Sequence, residues 1–293
     1  MAPSGADESP MRADALMVRR GLAASRDRAQ ALIAEGGVLV DGMPLAKPAK
    51  KLPADAEITM TTVDIPWVSR GALKLVGGLE AFPVIDPAGL SCADIGASTG
   101  GFTEVLLARG AAHVVAVDVG HGQLHPKLAG DPRVTSREGL NARHLSAEDF
   151  ATPPQLIVCD ASFISLTKVL PVVMDLAAPE ALLLALVKPQ FEVGKERVGS
   201  GVVTSPDLRR EAVARVVSAA EAEKVAIFGV AASPLPGPKG NVEYFLWMGK
   251  VGGDAAEPSE HDGAMEREDR ISAGLSAGLS AGLSAAEIES AIA

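Results

Sequence analysis

Cysteine is nearly missing from this chain, with only Cys92 and Cys159 among 293 residues. Both sit in apolar, strand-like runs, which argues against a disulfide framework and for a reducing, cytoplasmic setting. Long hydrophobic runs are missing too. The longest uninterrupted one, Ala181 to Val187, suits a buried strand and is too short to cross a bilayer. Asp7 and Glu8 precede any apolar segment, which does not fit a signal peptide. There is no overall excess of basic charge, since the formal net charge is −10. The acidity is uneven, however. From Gly252 onward nine acids face two arginines, whereas residues 11–60 carry a small excess of Lys and Arg. A basic module on a near-neutral body is compatible with RNA. At 47% hydrophobic the chain can bury one large core and a small second one.

What is present is organised around Ala93-Asp94-Ile95-Gly96-Ala97-Ser98-Thr99-Gly100-Gly101-Phe102-Thr103-Glu104. The pattern predicts a strand over Ser91 to Ile95, a glycine turn, and an amphipathic helix from Thr103 to Arg109. Gly96, Gly100 and Gly101 are expected to let a ligand lie against the backbone. A second strand, Ala112 to Asp118, ends on an acid about 20 residues past the glycines, where Rossmann-like sites hold ribose hydroxyls. A dinucleotide fingerprint would read G-x-G-x-x-G, whereas the spacing here is G-x-x-x-G-G. Asp94 would repel a pyrophosphate but suits an ammonium beside a sulfonium. The expected ligand is S-adenosylmethionine, and no metal is expected.

Further strands are predicted at Arg133 to Ser136, Gln155 to Asp160, Leu182 to Val187, Lys224 to Ala231 and Val242 to Met248. Helices are predicted over Val68 to Phe82, Leu166 to Ala177 and Pro206 to Glu223. Alternation of this kind specifies an α/β fold with a doubly wound, Rossmann-like seven-stranded sheet. Gly77 and Gly78 inside the first of these helices imply close packing or a kink. The Gly-rich segment Val193 to Thr204 reads as a mobile loop. Residues 1–10 and the Ser-Ala-Gly-Leu repeats of the 252–293 tail read as disordered.

Residues 11–62 form a separate small α+β unit, joined by a linker over 63–68 to a catalytic domain over 69–251. A helix is predicted over Arg12 to Arg20, closed by Gly21, and a second over Arg26 to Gly36 with Ser25 as N-cap. Val38 to Gly42 then reads as a strand and tight turn, and Lys47 to Lys51 as a basic loop. The run V-R-R-G-L-A-x-S-R-x-x-A-Q-x-L-I-x-x-G-x-V-x-V-x-G resembles the ribosomal-protein-S4-type RNA-binding domain, with Met17 where Val or Leu is usual. The resemblance implies phosphate contacts from Arg12, Arg19, Arg20, Ser25, Arg26, Arg28 and Gln30. Lys47, Lys50, Lys51 and Arg70 complete the expected RNA-binding set. Contacts of this kind position a protein and add little sequence information.

Ligands of open α/β sheets bind at the carboxyl edge. Asp160 ends the fourth catalytic-domain strand, Lys188 the fifth, and Glu243 opens the seventh, which is expected beside the fourth and fifth. Lys74 lies on the helix before the first. Two lysines and two acids would meet there. A ribose 2′-hydroxyl is a poor nucleophile that must lose its proton as it attacks a sulfonium carbon. A lysine assists as base or electrostatic steerer where desolvation and a neighbouring cation favour its neutral form. Lys188 is expected in that role, with Lys74 as the neighbouring cation and Asp160 and Glu243 orienting the amines.

This K-D-K-E order, headed by S-R-G-A-x-K-L, resembles the FtsJ-type ribose 2′-O-methyltransferases. With the S4-type unit, C-D-A-S-F-I-S-L and V-K-P-Q-F-E, the chain is similar to the TlyA family, also labelled hemolysin A, over residues 11–250. The resemblance implies methylation of cytidine ribose in ribosomal RNA or ribosomal subunits, with S-adenosylmethionine as donor. Gly96, Ser98, Gly100, Gly101, Phe102, Asp118 and Asp160 match its donor-site motifs, and Thr99 and Val119 adjoin them. Asn141 is expected at the adenine, Ser162 and Phe163 at the target nucleotide. The Ser-Ala-Gly-Leu tail departs from the family pattern. Base methylation fits less well. N-P-P-Y or D-P-P-Y is replaced by Asp160-Ala161-Ser162-Phe163, and Cys159 points to the opposite strand face from Asp160. Other readings are a non-catalytic RNA-binding assembly factor and a membrane-lytic protein. The complete lysine/acid set argues against the first, and the absence of a basic amphipathic surface helix against the second.

Overall fold

A computed structural model of the chain describes residues 10–23, 25–34, 37–60, 66–199 and 201–250. The segments 1–9 and 251–293, on which the expectations of disorder fall, lie outside the described residues. Two compact units are present, Met1–Pro66 and Trp67–Ala293.

The smaller unit contains β1 (Met11–Arg12), α1 (Ala13–Arg19), α2 (Arg26–Ala34), β2 (Val38–Val40), β3 (Met43–Pro44), β4 (Lys51–Leu52) and β5 (Ile58–Met60). Arg12 therefore lies on a strand, not in the first helix as expected. Lys51 leaves the basic loop to pair with it in an antiparallel β1–β4 ladder. Gly21, at φ +69, follows the last turn of α1 in the left-handed conformation that ends helices. Asp41 and Gly42, both at positive φ, make the two-residue turn between β2 and β3, the geometry that matches strand twist. Leu16, Met17, Leu32, Ile33, Val38 and Leu52 form its buried core.

The larger unit contains α3 (Gly71–Ala81), β6 (Ser91–Ile95), α4 (Gly101–Ala108), β7 (His113–Asp118), α5 (Pro126–Ala129), β8 (Val134–Glu138), β9 (Leu156–Cys159), α6 (Leu170–Leu176), β10 (Leu182–Val187), α7 (Pro189–Glu192), α8 (Pro206–Ala222), β11 (Val225–Ala232) and β12 (Tyr244–Lys250). All seven expected strands are present, in the order β11-β12-β10-β9-β6-β7-β8. β12 is antiparallel and lies between β10 and β11. The seventh strand of the sheet thus neighbours the fifth and sixth, and the fourth lies one place further in. An uninterrupted apolar run forms β10, as a strand covered on both faces requires. Apolar clusters line both faces of the sheet, with Ala185 and Val187 on one side and Leu184 and Leu186 on the other.

Helix signals in the sequence carry over with shifted ends. α8 starts at Pro206, with Ser205 accepting the Leu208 N–H, a cap followed by proline at the first helical position. α3 begins at Gly71 rather than Val68, and the Val68 N–H donates to the Glu104 carboxylate at 2.6 Å. The Val193 to Thr204 segment is anchored near both ends. Val193 and Val203 are buried, and Asn241 accepts from the Val203 N–H and donates to the Gly201 carbonyl.

Both glycines inside α3 are explained by close packing. A Cβ at Gly77 would stand 2.5 Å from Pro234 Cγ, and one at Gly78 3.1 Å from the Phe245 ring. Alanine is the better helix former by about 1 kcal/mol, but forcing a methyl into a packed contact costs about 1–3 kcal/mol. Gly77→Ala is therefore expected to lower the stability of the larger unit. Both tryptophans, Trp67 and Trp247, belong to that unit, so a urea melt followed by tryptophan fluorescence reads it directly.

Candidate active site

Three strand ends and one helix supply the reactive set. Lys188 follows β10 and is buried; its ammonium lies 2.6 Å from the Asp160 carboxylate. It also donates to the Asp160 carbonyl at 3.0 Å and the Ser162 hydroxyl at 2.7 Å. The two hydrogen bonds and the ion pair together hold the amine in place. Lys74, on α3, donates to Glu243 at 2.6 Å, and both are buried. The other Glu243 oxygen accepts from the Gln190 amide at 3.4 Å. The last ladder pair of β10 and β12 is Val187 with Tyr244, so the next positions outward are Lys188 and Glu243. The four expected residues are thus gathered as two lysine–carboxylate pairs set side by side. Lys74 pairs with Glu243, as Lys188 does with Asp160.

The glycine turn is closely packed. A Cβ at Gly96 would meet the Asp160 carbonyl and Ala161 nitrogen at 2.9 Å. One at Gly100 would meet Leu128 at 2.3 Å, and one at Gly101 the Ser69 hydroxyl at 2.3 Å. The space beside all three is taken by the protein itself, so they permit close packing of the turn. Gly100, at φ +92, also provides the left-handed residue from which α4 departs. Phe102, expected at the donor, is buried and stacks on Phe245 with centroids 6.3 Å apart. It is a core residue. Ser98 and Thr99 stay exposed, and Ser98 holds φ +47.

Asp94 is fully buried. One oxygen accepts from the Thr103 hydroxyl at 2.7 Å, and the other has no partner. Burial pushes its carboxyl up to about 7, with Thr103 opposing. An unpaired carboxylate oxygen beside the turn fits the ammonium of an amino-acid ligand. Asp118, at the end of β7, accepts from the Ser98 N–H at 2.8 Å and the Gly120 N–H at 2.7 Å. These bonds shape the loop, and each oxygen keeps a second lone pair for a hydroxyl. Val119 beside it is 66% exposed. Asn141 accepts from the Arg143 N–H at 3.1 Å and caps a short 3₁₀ turn.

Sequence reasoning passed over several acids that hold loops around these strand ends. Glu138 accepts from the N–H groups of Gly122, Gln123 and Leu124, which also lower its pKa. Glu192, in the quoted V-K-P-Q-F-E run, accepts from Ser165 and from the Leu166 N–H. Phe163 follows Ser162 at φ +63, 91% exposed, with its ring 5.3 Å from Phe191. Non-glycine residues held at positive φ concentrate at functional sites. Cys159 is buried, and burial pushes its thiol up to about 12. That leaves no thiolate for attack on a base.

In the smaller unit the expected RNA-binding residues divide. Arg20 donates to the Ala54 and Ala56 carbonyls, and Arg12, Arg26 and Gln30 all converge on Asp14. Arg19, Lys47, Lys50 and Lys51 are exposed. The Arg28 side chain lies outside the described residues. Arg70 belongs to the larger unit, just before α3. No described helix is long and apolar enough to cross a membrane.

The family model described as FtsJ-like methyltransferase matches residues 67–250, and the S4 domain model matches residues 11–58. The chain is 55% identical over 239 residues to the 16S/23S rRNA (cytidine-2'-O)-methyltransferase TlyA of Mycobacterium tuberculosis, across 81% of this chain and 89% of that one. It is 38% identical to Hemolysin A of Brachyspira hyodysenteriae, across 80% of this chain and 98% of that one. A solved Streptococcus thermophilus structure labelled as a hemolysin superposes with TM-score 0.66 at 33% identity, across 92% and 97% of the two chains.

The state of Asp94 carries a pH signature. Its carboxyl sits above the ordinary value in the folded chain, so the unfolded chain releases that proton first. Folding stability is therefore lost as pH rises from about 4 to about 7. Asp94→Asn removes this loss. The stability of the variant relative to the parent is expected to rise between pH 5 and pH 8, read by urea melts of the ligand-free protein.

Proposed function

This chain belongs to the FtsJ-like methyltransferases, in the TlyA family that couples them to an S4 domain, and on that premise we propose that it methylates the ribose 2′-hydroxyl of a cytidine in ribosomal RNA from S-adenosylmethionine. The observation that carries the reading is the pair of buried lysine–carboxylate contacts, Lys188 with Asp160 and Lys74 with Glu243, at adjacent strand ends. The named activity of the 55%-identical relative supports the choice of nucleoside.

When bound, the donor supplies a methyl carbon activated by its sulfonium. The unpaired Asp94 oxygen is proposed to take its ammonium, and Asp118 its ribose hydroxyls. Val119 would cover the adenine, beside Asn141. Lys74 gives one of its three N–H donors to Glu243, and with the donors left to it holds the target hydroxyl. Lys188, acting as the neutral amine, takes the proton of that hydroxyl on its lone pair as the oxygen attacks, and Asp160 keeps the amine in line. Phe163 offers an exposed ring on which the target base can stack, a contact worth about 1–3 kcal/mol. Positioning of the two substrates supplies much of the remaining rate enhancement. The S4 unit adds affinity for phosphates.

Transfer of a tritiated methyl group to ribosomal subunits, followed by nuclease digestion, tests the reading. Label on cytidine ribose is expected; label on a base, or tight RNA binding without label, overturns it. Lys188→Ala is expected to slow transfer by about 10²–10⁴-fold while donor binding, measured by calorimetry, is kept. Full activity in that variant would remove Lys188 from the mechanism.

A further inference from the structure

An acid stands at the centre of the basic face of the smaller unit. Asp14, in the first turn of α1, is fully buried. Arg12 grips it with both ends of its fork, Nε to Oδ1 at 3.0 Å and Nη2 to Oδ2 at 2.7 Å. Arg26 of α2 reaches Oδ2 at 3.2 Å, and Gln30, one helical turn further on, reaches it at 2.9 Å. The Arg12 hydrogen bonds hold the Asp14 carboxyl well below the usual carboxylate range. Two guanidiniums from separate elements are thereby fixed on one carboxylate, and their side chains remain 43% and 55% exposed.

A third cation joins them. The β1–β4 ladder sets Arg12 directly opposite Lys51. Their neighbours Met11 and Leu52 pack into the core, so Arg12 and Lys51 share the outer face of the ladder. Like charges directly opposite one another destabilise a sheet. Arg12, Arg26 and Lys51 together exceed the single charge of Asp14 by two.

We infer that Asp14 is a positioning residue that converts Arg12 and Arg26, with Lys51 beside them, into one preorganised clamp for a backbone phosphate of folded RNA. The inference rests on the RNA-directed function proposed above and assigns a role to an acid that repels the ligand at long range. A guanidinium locked by its own side-chain partner loses little rotamer freedom on meeting a phosphate, and preorganisation of this kind raises affinity. Gln30 contributes from the other side, holding Oδ2 without adding charge.

The two effects of Asp14 have opposite signs, which makes the test decisive. Asp14→Asn adds one positive charge to the face. Plain electrostatics makes the variant bind RNA more tightly, whereas loss of the clamp makes it bind more weakly. The measurement is the affinity of the full chain for a fluorescein-labelled structured RNA hairpin and for purified ribosomal subunits, at fixed salt. Amide NMR spectra check that the smaller unit stays folded. A loss of about tenfold in a folded Asp14→Asn variant supports the clamp; unchanged or tighter binding overturns it. If that variant unfolds, Arg12→Lys and Arg26→Lys decide the matter, since each keeps its charge and loses the fork. Weaker binding with an unaltered dependence on salt supports the clamp, and parental affinity overturns it. Failure of the parent chain to bind either RNA would instead refute the RNA-directed function, and the clamp with it.

Discussion

The antiparallel pairing of β12 with β10 is the interaction on which the catalytic unit turns. Six residue pairs from Leu182–Gly249 to Val187–Tyr244 set the register, and that register alone decides what stands beside Lys188. A slip of one residue would send Glu243 to the other face of the sheet and remove the partner of Lys74. The same strand buries Phe245 against Phe102 and Gly78, which fixes α3 and therefore Lys74. Packing and chemistry are thus set by one ladder. Neither buried lysine is left as an uncompensated charge, because each meets a carboxylate at 2.6 Å.

Carboxylates do much of the structural organisation elsewhere. Glu104 accepts the Val68 N–H and the Lys127 ammonium, tying the first residues of the larger unit to α4 and α5. Glu138 gathers three consecutive N–H groups of the loop after β7. Glu192 anchors the segment after Phe163, and Asp14 gathers two arginines and a glutamine. In each case an acceptor-only group collects donors from segments distant in sequence. Loops bearing binding residues are held in shape without a core of their own.

Much of this fold was legible because its strands are short apolar runs separated by glycine and proline. Ser91 to Ile95 and Leu182 to Val187 match to the residue, and the other strands lie within a few positions. Three kinds of information were less accessible. The insertion of β12 between the fifth and sixth strands is a pairing between distant segments, which no local pattern encodes. The glycines of the turn were visible as glycines, but whether a ligand or Leu128 and Ser69 fill the space beside them depends on packing. The Phe102 ring, next in the chain, is buried against Phe245, a contact between segments far apart in sequence. Asp14 and Glu104 looked like ordinary polar residues of helix first turns. Their donors come from other elements, as the 36 residues between Val68 and Glu104 illustrate. Asp160, Lys188 and Glu243 stand out in sequence because strand ends are recognisable, and Lys74 because it lies on the helix before the first strand of the sheet; which lysine meets which carboxylate depends on the pairing of distant segments.

The strand that sits between β10 and β11 is the last of the described strands in chain order. Lys74 and Glu243 are separated by 169 positions, so a growing polypeptide leaving the exit tunnel exposes its S4 unit long before Lys74 can meet its carboxylate partner.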